Sequence, residues 1–394
     1  MVLCMCIRIK RNFQTYLDFE KLTKQIKISL KIKSMQDIIG QYKNTISTAA
    51  NNKTPLLIRG GGTKDFYGTS INRNIHEILN TTNYTGILDY DPTELVVTAR
   101  AGTSLTSLEI ELLKQNQMLG FEPPHFGSEA TLGGSIASGL SGPRRAYAGA
   151  IRDFILGIRI LDGNGDDLNF GGKVIKNVAG YDISRLMTGS MGTLGLILEV
   201  SIKVLPIPPI ELTLRMQMKE SEAIEKMNQW AGKPLPISAT CFYENSLTLR
   251  LSGTESAVHS AYSKLGGELI SNGPFFWNSI REQTHSFFQS GNSLWRLSLK
   301  SNTPSLKLPG QQLIEWGGAL RWLSCNNIDM NKIENIVRSK SSMANGNATL
   351  FRSTKKPSSV FHPPEPQMIK IYQRIKEKFD PVGIFNPDRM FRGL

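Results

Sequence analysis

The chain has 394 residues, of which 40% are hydrophobic and 20% charged, the balance of an ordinary globular protein, and its formal net charge is +13. That length accommodates two or three domains with sizeable cores. No run approaches the ~18 uninterrupted apolar residues of a membrane-spanning helix. The positive charge does not indicate a nucleic-acid surface, because residues 1–34 carry Arg8, Lys10, Arg11, Lys21, Lys24, Lys27, Lys31 and Lys33 against only Asp18 and Glu20. The remaining excess is thinly spread, without a basic–aromatic cluster.

Residues 1–34 read as a basic leader that is not part of the fold, with Met35 as an alternative start. The leader has neither the apolar core nor the small-residue cleavage site of a signal peptide. A basic arm lying on a membrane surface is the other reading. A helix is expected over Gln36–Ala50, then a short strand, Pro55–Ile58. "PLLIRGGGTKDFYG" (55–68) carries that strand into three glycines. Strands follow at Gly86–Asp89 and Leu95–Ala99, with Asp91-Pro92 turning between them. Thr103 or Ser104 can cap a helix reaching Lys114. Gly120–Asp153 is too rich in Gly and Ser to predict a regular core element. Phe154–Leu161 and Asp166–Phe170 read as a hairpin about the turn Asp162–Gly165. Tyr181–Met187 is a short helix and Leu194–Leu205 a strand. Pro206, Pro208 and Pro209 then mark a domain boundary. The division is thus 35–208 and 209–394, the latter a mixture of helices and strands.

The glycine loop is not a P-loop, since Lys64 is followed by Asp65 rather than Ser or Thr. It is not the dinucleotide fingerprint, whose third glycine position holds Asp65. Taken alone it could be an ordinary turn. Three such stretches occur within one domain, however: Arg59–Lys64, Thr131–Arg145 and Gly189–Gly195. Together they point to a long ligand that backbone approaches closely at several places. Four cysteines (Cys4, Cys6, Cys241, Cys325) without a C-x-x-C give no disulfide framework and no iron–sulfur ligand set, which fits a reducing compartment. The five histidines (His76, His125, His259, His285, His362) have no metal-ligand spacing, so no metal is expected.

These residues resemble the FAD-binding domain of the PCMH (vanillyl-alcohol-oxidase-like) class. "RGGGTK" stands at its pyrophosphate loop, "ATLGGSIASGLSGPRR" at a second flavin-contacting segment, and "YDISRLMTGSMGTLGLILEVSIKVLP" at the segment that closes the domain. "DYDPTELVVTARAGT", "EPPHFGSEATLGG", "GPRRAYAGAIRDFILG", "KNVAGYDISRLM", "LIEWGGALRWL" and "FDPVGIFNPDRMF" narrow the resemblance. They are similar to the family of FAD-binding subunits of the bacterial three-subunit glycolate oxidases, from Met35 to Leu394.

The resemblance implies an α+β chain: a two-subdomain PCMH-type FAD-binding domain, then a smaller C-terminal domain. It implies that Arg59, Gly60, Gly61, Gly62, Thr63 and Lys64 wrap the pyrophosphate. Thr131, Leu132, Gly133, Gly134, Ala137 and Ser138 would line the flavin, and Gly142, Pro143 and Arg144 would continue that wall. Gly149 and Asp153 would lie just beyond it. Gly195, Ile197 and Glu199 would sit near the adenosine, and Asn386 would return the C-terminus towards the flavin ring. Packing or capping roles stay open for Gly195 and Asp153, and a solvated pair for Arg144 and Arg145. Covalent members of the class carry a His in the loop. Thr63 and Lys64 stand there instead, so non-covalent FAD is expected. The His/Glu cluster of hydroxy-acid-oxidising relatives is missing, so the catalytic residues are unassigned.

The reading that follows is an FAD-dependent oxidoreductase subunit of a glycolate oxidase (dehydrogenase) complex that converts glycolate to glyoxylate. Its expected partners are a sister FAD-binding subunit and an iron–sulfur subunit. Its expected location is cytoplasmic, peripheral at the inner membrane through those partners. Two alternatives stand beside it. One is a self-sufficient FAD enzyme acting on another small hydroxy acid or alcohol, with His125 or Tyr147 as base. The other is a scaffold subunit with little flavin.

Overall fold

The computed structural model describes residues 37–70, 77–172, 182–289, 291, 293–326, 330–354 and 359–393. The basic leader and the Lys176–Tyr181 part of the quoted motifs lie outside them. The observed architecture is α+β, as expected: two large antiparallel sheets, a small parallel one, a two-stranded antiparallel pair (Gln117–Met118 with Leu205–Pro206), and helices on the faces of the large sheets.

A helix over 37–52 packs Tyr42, Ile46 and Ala49 onto Leu56 and Leu79. Leu56–Arg59 pairs in parallel with Glu77–Asn80. The five-stranded sheet runs in the order Ile87–Asp91, Val96–Arg100, Leu196–Lys203, Ile155–Leu161, Asp167–Gly171. Leu196–Lys203 is its central strand and alternates buried with half-buried positions over its last half, the period-2 pattern of a sheet with one covered face. The helix Leu105–Leu113 covers that face with Leu105, Leu108 and Leu112, one stripe at helical spacing. Ser104 caps it by accepting from the Ser107 N–H at 3.0 Å.

The first half departs from expectation at Gly120–Asp153. Leu132–Ser138 is a buried helix despite its two glycines. Thr131 caps it, Leu132 and Ile136 fill the core on one side, and Gly133 donates its N–H to the Ala101 carbonyl at 2.7 Å. A Cβ on Gly133 would come within 2.7 Å of the Ala101 methyl, so the low helix propensity of glycine is overridden by a packing distance no other residue allows.

Residues 210–353 form an eight-stranded antiparallel sheet. The helices Glu220–Ala231 and Glu255–Leu265 cover one of its faces. Tyr67, Leu140 and Met191 of the first half press on the other, against Trp316, Trp322 and Phe351. The strand Ile237–Tyr243 is therefore buried on both faces.

The division at 208 is crossed by the last part of the chain. Phe379 of the helix Pro366–Phe379 packs on the core of the first half, and Phe385 bridges in parallel to Leu56. Asp380 organises this return. It is 1% exposed. It accepts the N–H groups of Gly383, Ile384 and Phe385 at 2.7–3.1 Å and the Lys376 ammonium at 2.7 Å. Lys376 also donates to the carbonyls of Thr193 and Phe385.

Candidate functional site

The largest assembly of sequence-predicted site residues is a cleft of about 220 Å³. Arg59, Gly60, Gly61, Gly62, Thr63 and Lys64 form one wall, and Thr131, Gly134, Ala137 and Ser138 the facing one. Met191, Asn386 and Arg389 close an end. Among the described residues, the backbone N–H groups of Gly60–Lys64 have no acceptor. Consecutive unpaired N–H groups along a concave wall are the donor set that an anion such as pyrophosphate needs.

The loop is held tightly. A Cβ on Gly61 would overlap the Glu129 carbonyl, so this backbone is pressed against the 129–131 segment. Arg59 donates Nε to Asp65 at 2.9 Å, which ties the two ends of the loop together. Thr63 donates its hydroxyl to the His125 carbonyl at 2.7 Å. Lys64 is 9% exposed. Its ammonium donates to the same carbonyl at 3.2 Å and lies 5.7 Å from the centre of the Phe126 ring. Burial pulls its pKa down to about 8, opposed by the Glu282 charge. Gly139, at φ 66°, ends the helix beneath the second wall, and a Cβ there would meet the Gly189 Cα at 2.9 Å. That close approach lets the Met191 N–H reach the Ala137 carbonyl.

The far end of the chain completes the cleft. Asn386 accepts the Ile58 N–H at 2.8 Å and donates to the Met191 carbonyl at 2.7 Å, joining two walls through one side chain. Arg389 donates to the carbonyls of Asp65, Tyr67 and Thr69, which fixes the run beyond the glycines. Arg389 and Met191 were not among the expected site residues. Their signal was the quoted "FDPVGIFNPDRMF" and "SMGTLG", whose charge and apolar bulk sit beside Asn and Gly.

Other expected residues stand elsewhere. Leu132 and Gly133 lie behind the second wall, in the core. Gly142 and Pro143 face the second half, where Trp316 donates its indole N–H to the Gly142 carbonyl at 3.0 Å. Arg144 is engaged by Glu122 and Glu211, and Arg250 by Glu122, so this guanidinium is a clasp between the halves. Asp153 accepts the Ala150 N–H at 2.9 Å, a helix cap, with Gly149 just ahead of it. Gly195 packs against the Leu161 carbonyl, and Ile197 is in the core. Glu199 accepts the Tyr84 hydroxyl at 2.7 Å and Arg159 at 2.8 Å. None of these lines the glycine cleft.

Nor do the two suggested bases. The His125 ring lies 3.2 Å from Glu109, and Tyr147 packs against the second sheet with its pKa raised by burial. Among the described residues, no group of three His, Cys, Asp or Glu could hold a metal ion.

The donor wall, the tight loop and the cation at its end fit a dinucleotide diphosphate. Comparison with known proteins gives the same answer. The family model for the FAD binding domain matches residues 38–171. The glycolate oxidase subunit GlcE of Escherichia coli (strain K12) is 46% identical over 349 residues, 89% of this chain and 96% of that protein. The glycolate oxidase subunit GlcD of Bacillus subtilis (strain 168) is 32% identical over 46% of this chain, but only 39% of its own length is matched. Among solved structures, an alkyldihydroxyacetonephosphate synthase superposes with a TM-score of 0.62 at 16% identity, covering 88% of this chain and 74% of that one, which shows a shared fold. The protein is therefore an FAD-binding oxidoreductase, and it belongs to the family of the glycolate oxidase subunit GlcE.

Proposed function

We propose that this chain is the FAD-binding subunit of a glycolate oxidase complex. In this reading glycolate is oxidised to glyoxylate at the sister FAD-binding subunit, and an iron–sulfur subunit carries electrons to a membrane acceptor. The observation that carries the reading is the row of unpaired N–H groups at Gly60–Lys64, set in a chain that matches GlcE over nearly its whole length. FAD, when bound, supplies the electron-transfer chemistry, and the protein supplies the binding. The backbone of Gly60–Lys64 would hold the diphosphate, while Thr131, Gly134, Ala137 and Ser138 would support the rest of the cofactor. Arg59 would keep the loop closed through Asp65. Lys64 would place a buried positive charge at the end of the cleft. Location at the cytoplasmic face of a membrane, through partners, belongs to the same proposal; no helix among the described residues is long and apolar enough to cross one.

Two results are expected. The first concerns attachment. Thr63 and Lys64 offer no ring nitrogen for a flavin bond, so acid precipitation should leave all the flavin in the supernatant. A yellow pellet yielding a flavin-labelled peptide contradicts this. The second concerns catalysis. The isolated, FAD-loaded chain should turn over glycolate at least about 100-fold more slowly than the complex reconstituted with the sister and iron–sulfur subunits, since a positioned base is worth about that much and neither His125 nor Tyr147 lines the cleft. Steady-state reduction of a dye acceptor measures both. Equal rates would assign the oxidation to this chain alone.

A further inference from the structure

Among the described residues, none of 210–353 lines the glycine cleft, yet a carboxylate from that part of the chain reaches it through one peptide unit. The unit joins His125 to Phe126. Its carbonyl accepts two side chains of the glycine loop, the Thr63 hydroxyl at 2.7 Å and the Lys64 ammonium at 3.2 Å. Its N–H, on Phe126, donates to Glu282 at 2.8 Å. Glu282 follows directly on the helix Gly273–Arg281. The peptide is trans, so its C=O and N–H lie in one plane and point in opposite directions. Whatever fixes the N–H therefore aims the carbonyl.

The turn is strained in this orientation. Phe126 has φ 55°, in the left-handed region that a bulky side chain avoids, and Gln283, the residue after Glu282, also has φ 55°. Glu282 offsets that cost by holding two consecutive N–H groups. Its carboxylate also accepts the His125 N–H at 3.1 Å, and adjacent backbone N–H groups closing on one anion are a favourable arrangement. Arg281 Nε, at 2.8 Å, is its third donor. The side chains of the turn have anchors of their own. The His125 ring lies 3.2 Å from Glu109, and the Phe126 and Phe66 ring centres are 5.3 Å apart. Those contacts do not set the peptide plane, which can turn between two fixed Cα atoms.

Lys64 depends on that plane. Among the described residues, the acceptors of its buried ammonium are the His125 carbonyl and the Thr63 hydroxyl, and no carboxylate lies within ion-pairing distance. The peptide unit stands between the two charges with its N–H towards Glu282 and its carbonyl towards Lys64. Each end of its dipole thus meets the opposite charge.

We propose that Glu282 is a positioning residue for FAD: through the 125–126 peptide it holds Thr63 and Lys64 at the end of the glycine loop, and so couples cofactor affinity to the docking of residues 210–353 on the first half. The coupling is reciprocal, so bound FAD also tightens that docking. The inference rests on FAD occupying the glycine cleft.

The test is titration of the full-length apoprotein with FAD, followed by the change in flavin fluorescence, with circular dichroism to check the fold. Glu282→Ala should weaken FAD about tenfold, the worth of one hydrogen bond to a charged group. In a Thr63→Val, Lys64→Met background the carbonyl has no side-chain donor left to hold. Adding Glu282→Ala there should change FAD affinity by less than about twofold, the non-additivity of residues that act as one unit. A substitution that merely loosened the fold would cost about tenfold in both backgrounds, and that result would overturn the proposal. So would an unchanged affinity of Glu282→Ala in the wild-type background. Glu282→Gln keeps the volume and one acceptor oxygen. It should fall between the wild type and Glu282→Ala, and it closes the same cycle if the alanine protein does not fold. A wild type that takes up no FAD overturns the reading of the cleft itself, whereas the ratios between variants bear on Glu282 alone.

Discussion

A Gly61→Val protein is expected to fold and to purify colourless. The valine Cβ would have to occupy the place of the Glu129 carbonyl, a backbone atom that cannot swing aside. The glycine loop must therefore move away from the 129–131 segment. Its N–H groups then lose their common direction, and several charge-assisted hydrogen bonds to a diphosphate are lost together. Two such bonds at about 1.5–3 kcal/mol each correspond to a loss of at least 100-fold in FAD affinity. The ratio of flavin to protein absorbance measures this, and circular dichroism checks that the fold is kept. A stoichiometric flavin content in the variant would remove the loop from the cofactor site. Gly61→Ala should show most of the same loss, because the first side-chain carbon already makes the overlap.

The largest stability effect is expected at Asp380. Asp380→Ala removes the acceptor of three backbone N–H groups and leaves the Lys376 ammonium buried among carbonyls. Breaking a buried pair from one side costs about 3–5 kcal/mol, because the remaining charge stays desolvated. Burial already lowers the Lys376 pKa, with Asp380 opposing, so the ammonium depends on that partner. Denaturant melts of the wild type and the variant measure the loss. The double variant Lys376→Met with Asp380→Ala should recover part of it, since no unpaired charge is left. A single variant as stable as the wild type would show that Asp380 does not hold this corner. Flavin affinity should fall alongside, because Asn386 and Arg389 follow directly on the segment that Asp380 fixes.

The sequence made the local elements of the first half legible. Alternating apolar residues in Leu196–Lys203 and the 105–108–112 stripe announce a strand and a helix without any tertiary knowledge. The glycine loop alone is open to reading as a turn; three glycine-rich stretches in one domain point to a ligand approached by backbone, and the structure brings residues of all three, Gly60–Lys64, Thr131–Ser138 and Met191, to one cleft. Leu132–Ser138 was hidden because its helix is imposed by contact with Ala101 rather than by propensity. Arg144 read as part of a cofactor wall because its partners, Glu122 and Glu211, are remote or ordinary in sequence. Arg389 could not be assigned from spacing, as it reaches carbonyls more than 300 residues away. Residues whose role depends on one distant contact leave no periodic trace.

The bond between Ile58 and Asn386, 328 residues apart, also sets an order of assembly. The ribosome delivers the glycine loop early, yet the neighbour of its strand is not synthesised until residue 386. During that interval one edge of the strand Leu56–Arg59 stands open, the kind of edge that invites wrong pairing. Closing so long a loop is entropically slow compared with the hairpins formed on the way. The walls of the cleft exist together only once residue 389 has been made, because Asn386 and Arg389 are two of its lining residues.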